Sequence, residues 1–114
     1  MKEIKKNIES CPELCPVKEA LKIIGGKWRL QIVHEIGHEK RRFGELKRLI
    51  PAISEKMLIQ ELKVLTSYGV LHRKAYPEIP PRVEYSLTAS GKSVLPIISQ
   101  IEKFGQELIE NNLT

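Results

Sequence analysis

The chain has 114 residues, of which 41% are hydrophobic and 29% charged, and it carries a formal net charge of +5. This length fits one compact domain with its own hydrophobic core and excludes a multidomain enzyme. No apolar run approaches the roughly 18 residues of a membrane span, and the first ten residues lack the apolar stretch of a secretory signal, so we expect a cytoplasmic protein without membrane contact.

The positive charge is concentrated in the middle of the chain. Thirteen of the nineteen basic residues and seven of the fourteen Glu lie between Lys27 and Lys92, which gives this segment a net charge of +6 and leaves −1 on the flanks. A cationic centre between near-neutral ends indicates a central surface that binds a polyanion, with the ends available for self-association. A solvated, lysine-rich surface is the alternative at this point.

Hydrophobic periodicity predicts four helices in the first 68 residues. They cover about 17–24, 27–36, 43–50 and 55–68. Trp28 is expected to be a core anchor of the second helix. Ser54 is expected to cap the fourth helix, and Gly69 to follow its last turn in a left-handed conformation. The third and fourth helices are joined by the four residues from Pro51 to Ser54, so residues 42–69 have a helix-turn-helix pattern.

After the fourth helix the hydrophobic period becomes that of strands. Residues 70–76 and 82–87 are predicted strands, and the three prolines in the loop 77–81 predict a stiff, projecting connection, so that 70–87 forms a wing. Thr88 is expected to cap a last helix over 88–114, with Pro96 kinking it or splitting off its first turn. Its wide apolar stripe consists of Val94, Ile98, Ile101, Phe104, Leu108 and Ile109. The predicted fold class is α+β, mainly α, with an amino-terminal arm over 1–16.

The predicted fourth helix has one apolar and one cationic face. On a helical wheel three leucines share one side, and Lys56, Gln60 and Lys63 lie on the other. A B-form major groove admits an α-helix, in which Lys can neutralise phosphate or donate to guanine and Gln can contact adenine. An ordinary surface helix would contain the same residue types, but the adjacent wing and the regional charge favour DNA. The candidate phosphate contacts outside this helix are Lys27, Arg41, Arg42, Lys47, Arg73, Lys74 and Arg82.

Several sequence blocks carry a family resemblance. In chain order they are CPV at 15–17, LKIIGGKW at 21–28, RFGEL at 42–46, PAISEKML at 51–58 and YPEIPPRVEYSLT at 76–88. In this order and spacing they strongly resemble the HxlR family of bacterial winged helix-turn-helix regulators, over about residues 15–105. The resemblance implies a homodimer in which the amino-terminal and carboxy-terminal helices of two subunits pack together. It also implies that the recognition helix carries Ser54, Lys56, Gln60 and Lys63 and the wing Arg82.

We therefore expect a sequence-specific transcriptional regulator that binds double-stranded DNA as a homodimer, with no cofactor and no enzymatic activity. The broad stripe on the last helix independently favours a dimer, because one small domain offers limited surface to cover it, although packing within the monomer is the alternative. Two-fold symmetry would hold the recognition helices about 34 Å apart and predicts an inverted-repeat operator. Repression is the simpler expectation, since no segment for contacting a polymerase is evident. The sequence identifies no small-molecule effector.

The two cysteines, Cys11 and Cys15, suggest a second role. In a cytoplasmic chain a stabilising disulfide is not the expected state. Pro16 places Cys15 near the start of the first helix, where the helix dipole and Lys18 favour a thiolate. Some HxlR relatives sense oxidants or electrophiles through the matching cysteine, so the resemblance implies that Cys15 is a redox sensor, with Cys11 resolving its oxidised form or without a role. The alternative is a small apolar residue packed at the dimer interface.

Residues 34–38 match the H-E-x-x-H pattern of zinc hydrolases. That chemistry needs a third ligand and a helix that continues beneath both His34 and His38, whereas Gly37 is expected near a helix end. We therefore predict no metal site. A zinc hydrolase and a winged domain that binds a protein partner are the two alternative functions.

Overall fold

The structure is a computed structural model that describes residues 15–113, so most of the predicted amino-terminal arm, including Cys11, lies outside the described residues. The described part of the chain contains six helices and one small antiparallel sheet. The helices are α1 (Pro16–Ile24), α2 (Arg29–Ile36), α3 (Phe43–Leu49), α4 (Glu55–Ser67), α5 (Ala89–Lys92) and α6 (Leu95–Leu113). The strands are β1 (Arg41–Arg42), β2 (Leu71–Tyr76) and β3 (Arg82–Leu87). The expected mainly α fold is confirmed.

The hydrophobic core is built by α2, α3 and α4. Its fully buried large side chains include Ile32, Val33, Ile36, Leu46, Ile50, Ile53, Leu58, Leu62 and Leu65. Ile50 and Ile53 belong to the turn between α3 and α4, so the turn is anchored by two side chains and holds the two helices in a fixed arrangement. Trp28 is partly buried against this core and precedes α2 rather than lying within it.

The ends of α4 are fixed as the sequence predicts. The Ser54 hydroxyl accepts a hydrogen bond of 3.1 Å from the backbone N–H of Met57, which satisfies a free donor of the first turn. At the other end, Gly69 has φ of 79° and turns the chain towards β2. Both predicted caps are confirmed.

The sheet contains one strand that the sequence analysis missed. The strand order is β1-β3-β2, and all neighbours are antiparallel. Arg41 and Arg42, expected to lie in a basic connection, form β1 opposite Tyr85 and Glu84 of β3. A two-residue strand has no detectable period, and here it exists because β3 provides hydrogen-bonding partners more than forty residues away in the sequence.

Thr88 and Gly91 join the last two helices to the rest of the domain. The Thr88 hydroxyl accepts a hydrogen bond from the Gly91 N–H, as predicted for a cap. A Cβ at Gly91 would lie 2.2 Å from the Val70 carbonyl oxygen, so only glycine allows this contact. Pro96 is the second residue of α6, which follows a break after α5, so the expectation that it splits off a first turn is confirmed.

The carboxy-terminal helix α6 lies partly on the core and partly away from it. Val94, just before the helix, and Ile98 in its first turns are buried against the core, whereas Phe104 is 63% exposed. The single apolar stripe predicted from the sequence therefore has two different environments. From Cys15 to Leu113 no helix has both the length and the hydrophobicity needed to cross a membrane.

Candidate nucleic-acid interface

The outward face of α4 carries the residues that the sequence analysis placed there. Lys56, Gln60 and Lys63 are all exposed, and the opposite face of the helix is buried through its leucines. Among the described residues, neither lysine has a carboxylate within ion-pair distance. Ser54 at the start of the helix is also exposed, and its hydroxyl hydrogen remains available for an outside acceptor while its oxygen caps the helix. This face can donate hydrogen bonds to an anionic partner.

An ion pair holds α4 against the start of the domain. The Arg29 Nε donates to the Glu61 carboxylate at 2.5 Å, and both side chains are mostly buried. The Arg29 Nη1 also donates to the carbonyl oxygens of Lys22 and Ile23, at 2.9 and 3.1 Å. Arg29 therefore bonds the last turn of α1 to α4. Sequence reasoning missed this connection, because its two partners are separated by 32 positions and no local pattern marks them.

The predicted wing residues Arg73 and Lys74 are exposed neighbours on β2, and successive residues of a strand point to opposite faces of the sheet. Arg73 lines the same cavity as Lys63 of α4, so these two predicted site residues lie together. The ammonium of Lys74 lies 5.1 Å from the centre of the Tyr76 ring. Of the two wing cations, Arg73 is the one on the side of α4.

Arg82 is held within the wing. Its guanidinium lies 2.9 Å from the Glu78 carboxylate, 3.0 Å from that of Glu84 and 3.8 Å from the centre of the Tyr76 ring. Its side chain is 25% exposed, and its buried Nε has no hydrogen-bond partner. Two carboxylates therefore balance its charge, and its clearest role is to brace the base of the loop. A DNA contact by Arg82 stays a prediction.

The other predicted phosphate contacts differ in how far their side chains are already engaged. Arg41 donates to the Glu35 carbonyl oxygen at 3.0 Å, and Lys47 donates to the Pro51 carbonyl oxygen at 3.2 Å. Lys27 lies over the Trp28 ring, 4.9 Å from its centre. Arg42 precedes α3, and its side chain is exposed. Arg42 is therefore the cation of this group best placed for an outside anion.

Cys15 occupies the predicted position but not the predicted chemical state. It directly precedes α1, with Pro16 as the first helical residue, and it is only 7% exposed. The expectation against a disulfide is wrong in this structure, because Cys15 is disulfide-bonded. The expectation of a reducing, cytoplasmic environment had favoured free thiols, whereas the distance between two sulfur atoms depends on local backbone geometry. Cys11, the second cysteine of the sequence, lies outside the described residues.

The H-E-x-x-H pattern is not presented by one helix. Helix α2 ends at Ile36, and Gly37 takes φ of 53°, so His38 leaves the helical path that carries His34. The His34 Nε2 instead lies 3.9 Å from the Glu102 carboxylate of α6. Within residues 15–113, no three His, Cys or Glu side chains are grouped in a way that suits a metal ion.

A second surface of the domain is apolar and exposed. On α6, Ile97, Ile101, Phe104 and Leu108 follow a 4-3-4 spacing, and their side chains are between 45% and 63% exposed. This spacing puts all four on one side of the helix, as in the contact seam of a coiled coil. On α1, Val17 and Leu21 are also exposed, and no residue of that helix is fully buried.

Helices α3 and α4 pack together around a short turn, and the hairpin of β2 and β3 follows them. This arrangement, with a cationic exposed face on α4, defines a winged helix-turn-helix protein. The model of the HxlR-like helix-turn-helix family matches residues 23–113. The chain therefore belongs to the HxlR-like family of helix-turn-helix transcriptional regulators, as its sequence blocks predicted.

Individual relatives agree with this assignment. The HTH-type transcriptional regulator YybR of Bacillus subtilis (strain 168) is 41% identical over 102 residues, which are 90% of this chain and 82% of the relative. A crystal structure of a MarR-family transcriptional regulator from Porphyromonas gingivalis W83 is similar with a TM-score of 0.81 and 57% identity, covering 84% of this chain and 94% of that one. The redox regulator HypR in its oxidised form has a TM-score of 0.77 and 40% identity, covering 82% and 96%.

Proposed function

We propose that two copies of this chain form a symmetric dimer that binds an inverted-repeat operator and represses transcription. Helix α4 enters the major groove, where Lys56, Gln60 and Lys63 contact base edges and phosphates, while Arg73 of the wing reaches the backbone. The observation that carries this proposal is the α4 face itself, which is cationic, exposed and backed by fully buried leucines. Repression is the simplest outcome, because a protein bound at the operator blocks access to it. The described residues form only the winged helix-turn-helix and its flanking helices.

The dimer is supported by the apolar surface of α6. Four large side chains in a 4-3-4 spacing are more typical of a helix that packs against another helix than of a solvated face. Val17 and Leu21 of α1, at the other end of the described chain, are a second pair of exposed apolar side chains. A second copy of the same surface matches it by two-fold symmetry, which is the commonest arrangement of soluble oligomers.

We further propose that oxidation at Cys15 regulates DNA binding. Cys15 directly precedes α1, and α1 is bonded to the recognition helix through Arg29 and Glu61. A change in the position of α1 therefore acts on α4 through a short chain of hydrogen bonds. The similarity to HypR, a redox regulator, is compatible with this role.

The first test measures specificity by substitution on α4 and on the wing. An operator is selected from a pool of random-sequence duplexes, and dissociation constants are measured for this operator and for random DNA. Lys56→Ala and Gln60→Ala should weaken operator binding by about tenfold and random DNA binding by less, because lost base contacts remove discrimination of about 1–3 kcal/mol. Lys74→Ala should weaken both alike, and Lys92→Ala on α5 is the matched control.

Salt dependence gives an independent reading of the same interface. Each phosphate neutralised contributes about 0.9 to the slope of log affinity against log salt, so removing one phosphate contact should lower the slope by about this amount. Equal losses on operator and random DNA for all three variants would contradict the assignment of base contacts to α4. Salt-insensitive binding, or none even at low ionic strength, would favour a winged domain that binds a protein partner.

The second test addresses oxidation. Operator affinity of the unmodified chain and of Cys15→Ser is measured after treatment with diamide and after treatment with dithiothreitol. We expect the two treatments to give different affinities for the unmodified chain and the same affinity for Cys15→Ser. Identical affinities of the unmodified chain under both treatments would exclude a regulatory role for this cysteine.

A further inference from the structure

A cavity of about 410 Å³ lies between the carboxy-terminal half of α4 and the wing. Its apolar lining includes Phe43 from α3, Leu62 from α4 and Tyr85 from β3. This volume is within the range of small-molecule sites, which are also lined mainly by apolar and aromatic side chains with a few polar groups. Neither the major-groove contacts nor the apolar dimer surface requires a cavity here, so the feature needs its own explanation.

The charged groups of the cavity all have the same sign. Lys63 and Arg73 line it, and no carboxylate does. Within residues 15–113 neither of these side chains forms an ion pair. Two of the three hydroxyls of the lining are engaged as donors, because Thr66 donates to the Leu62 carbonyl oxygen at 2.8 Å and Ser67 to that of Val64 at 2.7 Å. A negative charge inside the cavity would therefore be met by Lys63 and Arg73.

We propose that this cavity binds a small aromatic carboxylate, with its carboxylate between Lys63 and Arg73 and its ring against Phe43, Leu62 and Tyr85. A neutral aromatic molecule would fill the apolar part and leave two cations facing it without a counter-charge. A strongly polar anion would satisfy the cations and leave the aromatic lining uncovered. An amphipathic monoanion satisfies both parts.

The regulatory consequence of this site rests on the proposed function. Lys63 and Arg73 also belong to the proposed DNA-binding surface, so a carboxylate that engages them competes with phosphate. The ligand would in addition bridge α3, α4 and the wing, because the lining residues come from all three. Binding of the ligand should therefore weaken binding of DNA, and DNA should weaken binding of the ligand by the same factor.

The primary experiment titrates 2-naphthoate into the full chain in the absence of DNA, followed by amide chemical shifts. The largest shifts are expected at residues 63, 66, 67, 73 and 85. The neutral analogue 2-naphthamide should bind about tenfold more weakly, since it loses a charge-assisted interaction worth about 1.4 kcal/mol. Equal affinities of the two compounds would overturn the proposal. Shifts centred on Phe104 would also overturn it, because they would place the probe on the apolar surface of α6.

Matched variants distinguish filling the cavity from changing its charge. Ser67→Phe adds a ring at the cavity wall and should abolish binding of 2-naphthoate, whereas Ser90→Phe makes the same change on exposed α5 and should leave it unchanged. Lys63→Met keeps an apolar stem of similar length but loses the charge, and it should reduce the affinity for 2-naphthoate about tenfold. This variant tests the site even if Ser67→Phe does not fold. Unchanged affinity in Lys63→Met would contradict the carboxylate position.

Failure of this proposal can be distinguished from failure of the proposed function. Binding of 2-naphthoate that needs Lys63, in a chain that shows no salt-sensitive DNA binding, would keep the cavity assignment and reject the DNA-binding role. DNA binding without any response to 2-naphthoate up to its solubility limit would reject the cavity assignment alone. If the chain binds both DNA and 2-naphthoate, addition of 2-naphthoate should raise the dissociation constant for random duplex DNA. An unchanged dissociation constant would contradict the proposed competition.

Discussion

The helix-turn-helix and the distal part of α6 contain similar apolar residues in opposite environments. In the first region, Leu58, Leu62 and Leu65 of α4 are at most 1% exposed. In the second, Phe104 and Leu108 are 63% and 48% exposed. The apolar stripe of the helix-turn-helix is thus buried within one chain, whereas the apolar stripe of distal α6 remains exposed on it. Sequence periodicity detects both stripes equally well and cannot tell which partner covers each.

The change from one environment to the other occurs within one helix. Ile98 is 7% exposed because it packs into the hydrophobic core, and Ile101, less than one turn later, is already 46% exposed. Stability of the single domain should therefore depend on the residues up to Ile98, and association on those after it. The following predictions test this division by their effect on the unfolding of a single chain.

The largest loss is expected on the buried face of α4. Leu58→Ala removes a fully buried side chain and should lower the free energy of unfolding by about 2–5 kcal/mol, through lost burial and a cavity. Its neighbour Ile59 is 47% exposed, so Ile59→Ala should cost much less. Urea unfolding followed by circular dichroism measures both. Similar losses in the two variants would mean that α4 does not have one buried and one exposed face.

An intermediate loss is expected where α1 is bonded to α4 of the helix-turn-helix. Arg29→Met removes the bonds to Glu61 and to the last carbonyls of α1 while keeping an unbranched apolar stem, and it should cost about 1–3 kcal/mol. The control is Arg48→Met, at an exposed position of α3. Hydrogen exchange of α1 amides should accelerate in Arg29→Met. Protection of α1 equal to that in the control would show that Arg29 does not hold this helix.

The smallest effect on a single chain is expected on distal α6. Phe104→Glu should leave the unfolding of the monomer almost unchanged, because the ring is mostly exposed, but it should shift sedimentation from dimer to monomer. Lys103→Glu places the same charge on the adjacent exposed position and should remain dimeric. If Phe104→Glu remains dimeric, the interface does not lie on this face of α6. The concentration dependence of thermal unfolding provides a second measurement, since association stabilises the folded state by mass action.

Most of the fold could be predicted from the sequence because its signals are local. The Ser54 and Thr88 caps, the left-handed Gly69 and the position of Pro96 each depend on a few neighbouring residues, and the structure contains all of them. The exposed position of Lys56, Gln60 and Lys63 followed from helical spacing alone.

The features that were missed depend on contacts between distant residues. The Arg29–Glu61 pair and the strand at Arg41 exist only after distant segments have packed together. The two carboxylates around Arg82 are close in sequence, two and four positions away, but they surround its guanidinium only in the folded wing. The cavity beside the wing is lined from α3, α4 and both hairpin strands, so no single stretch of sequence indicates it. The prediction for Cys15 was wrong because the redox state of a compartment does not determine how close two sulfur atoms lie.

The joint at Thr88 and Gly91 limits how such a regulator can move. The Thr88 N–H donates to the Val70 carbonyl oxygen at 3.1 Å, and the Gly91 backbone lies against the same carbonyl without an intervening side chain. A rotation of α5 on the wing would press backbone against backbone, so this joint is a poor hinge. In the proposed dimer, any change in the distance between the two recognition helices must then arise elsewhere, by bending of α6 beyond Ile98 or by displacement of α1.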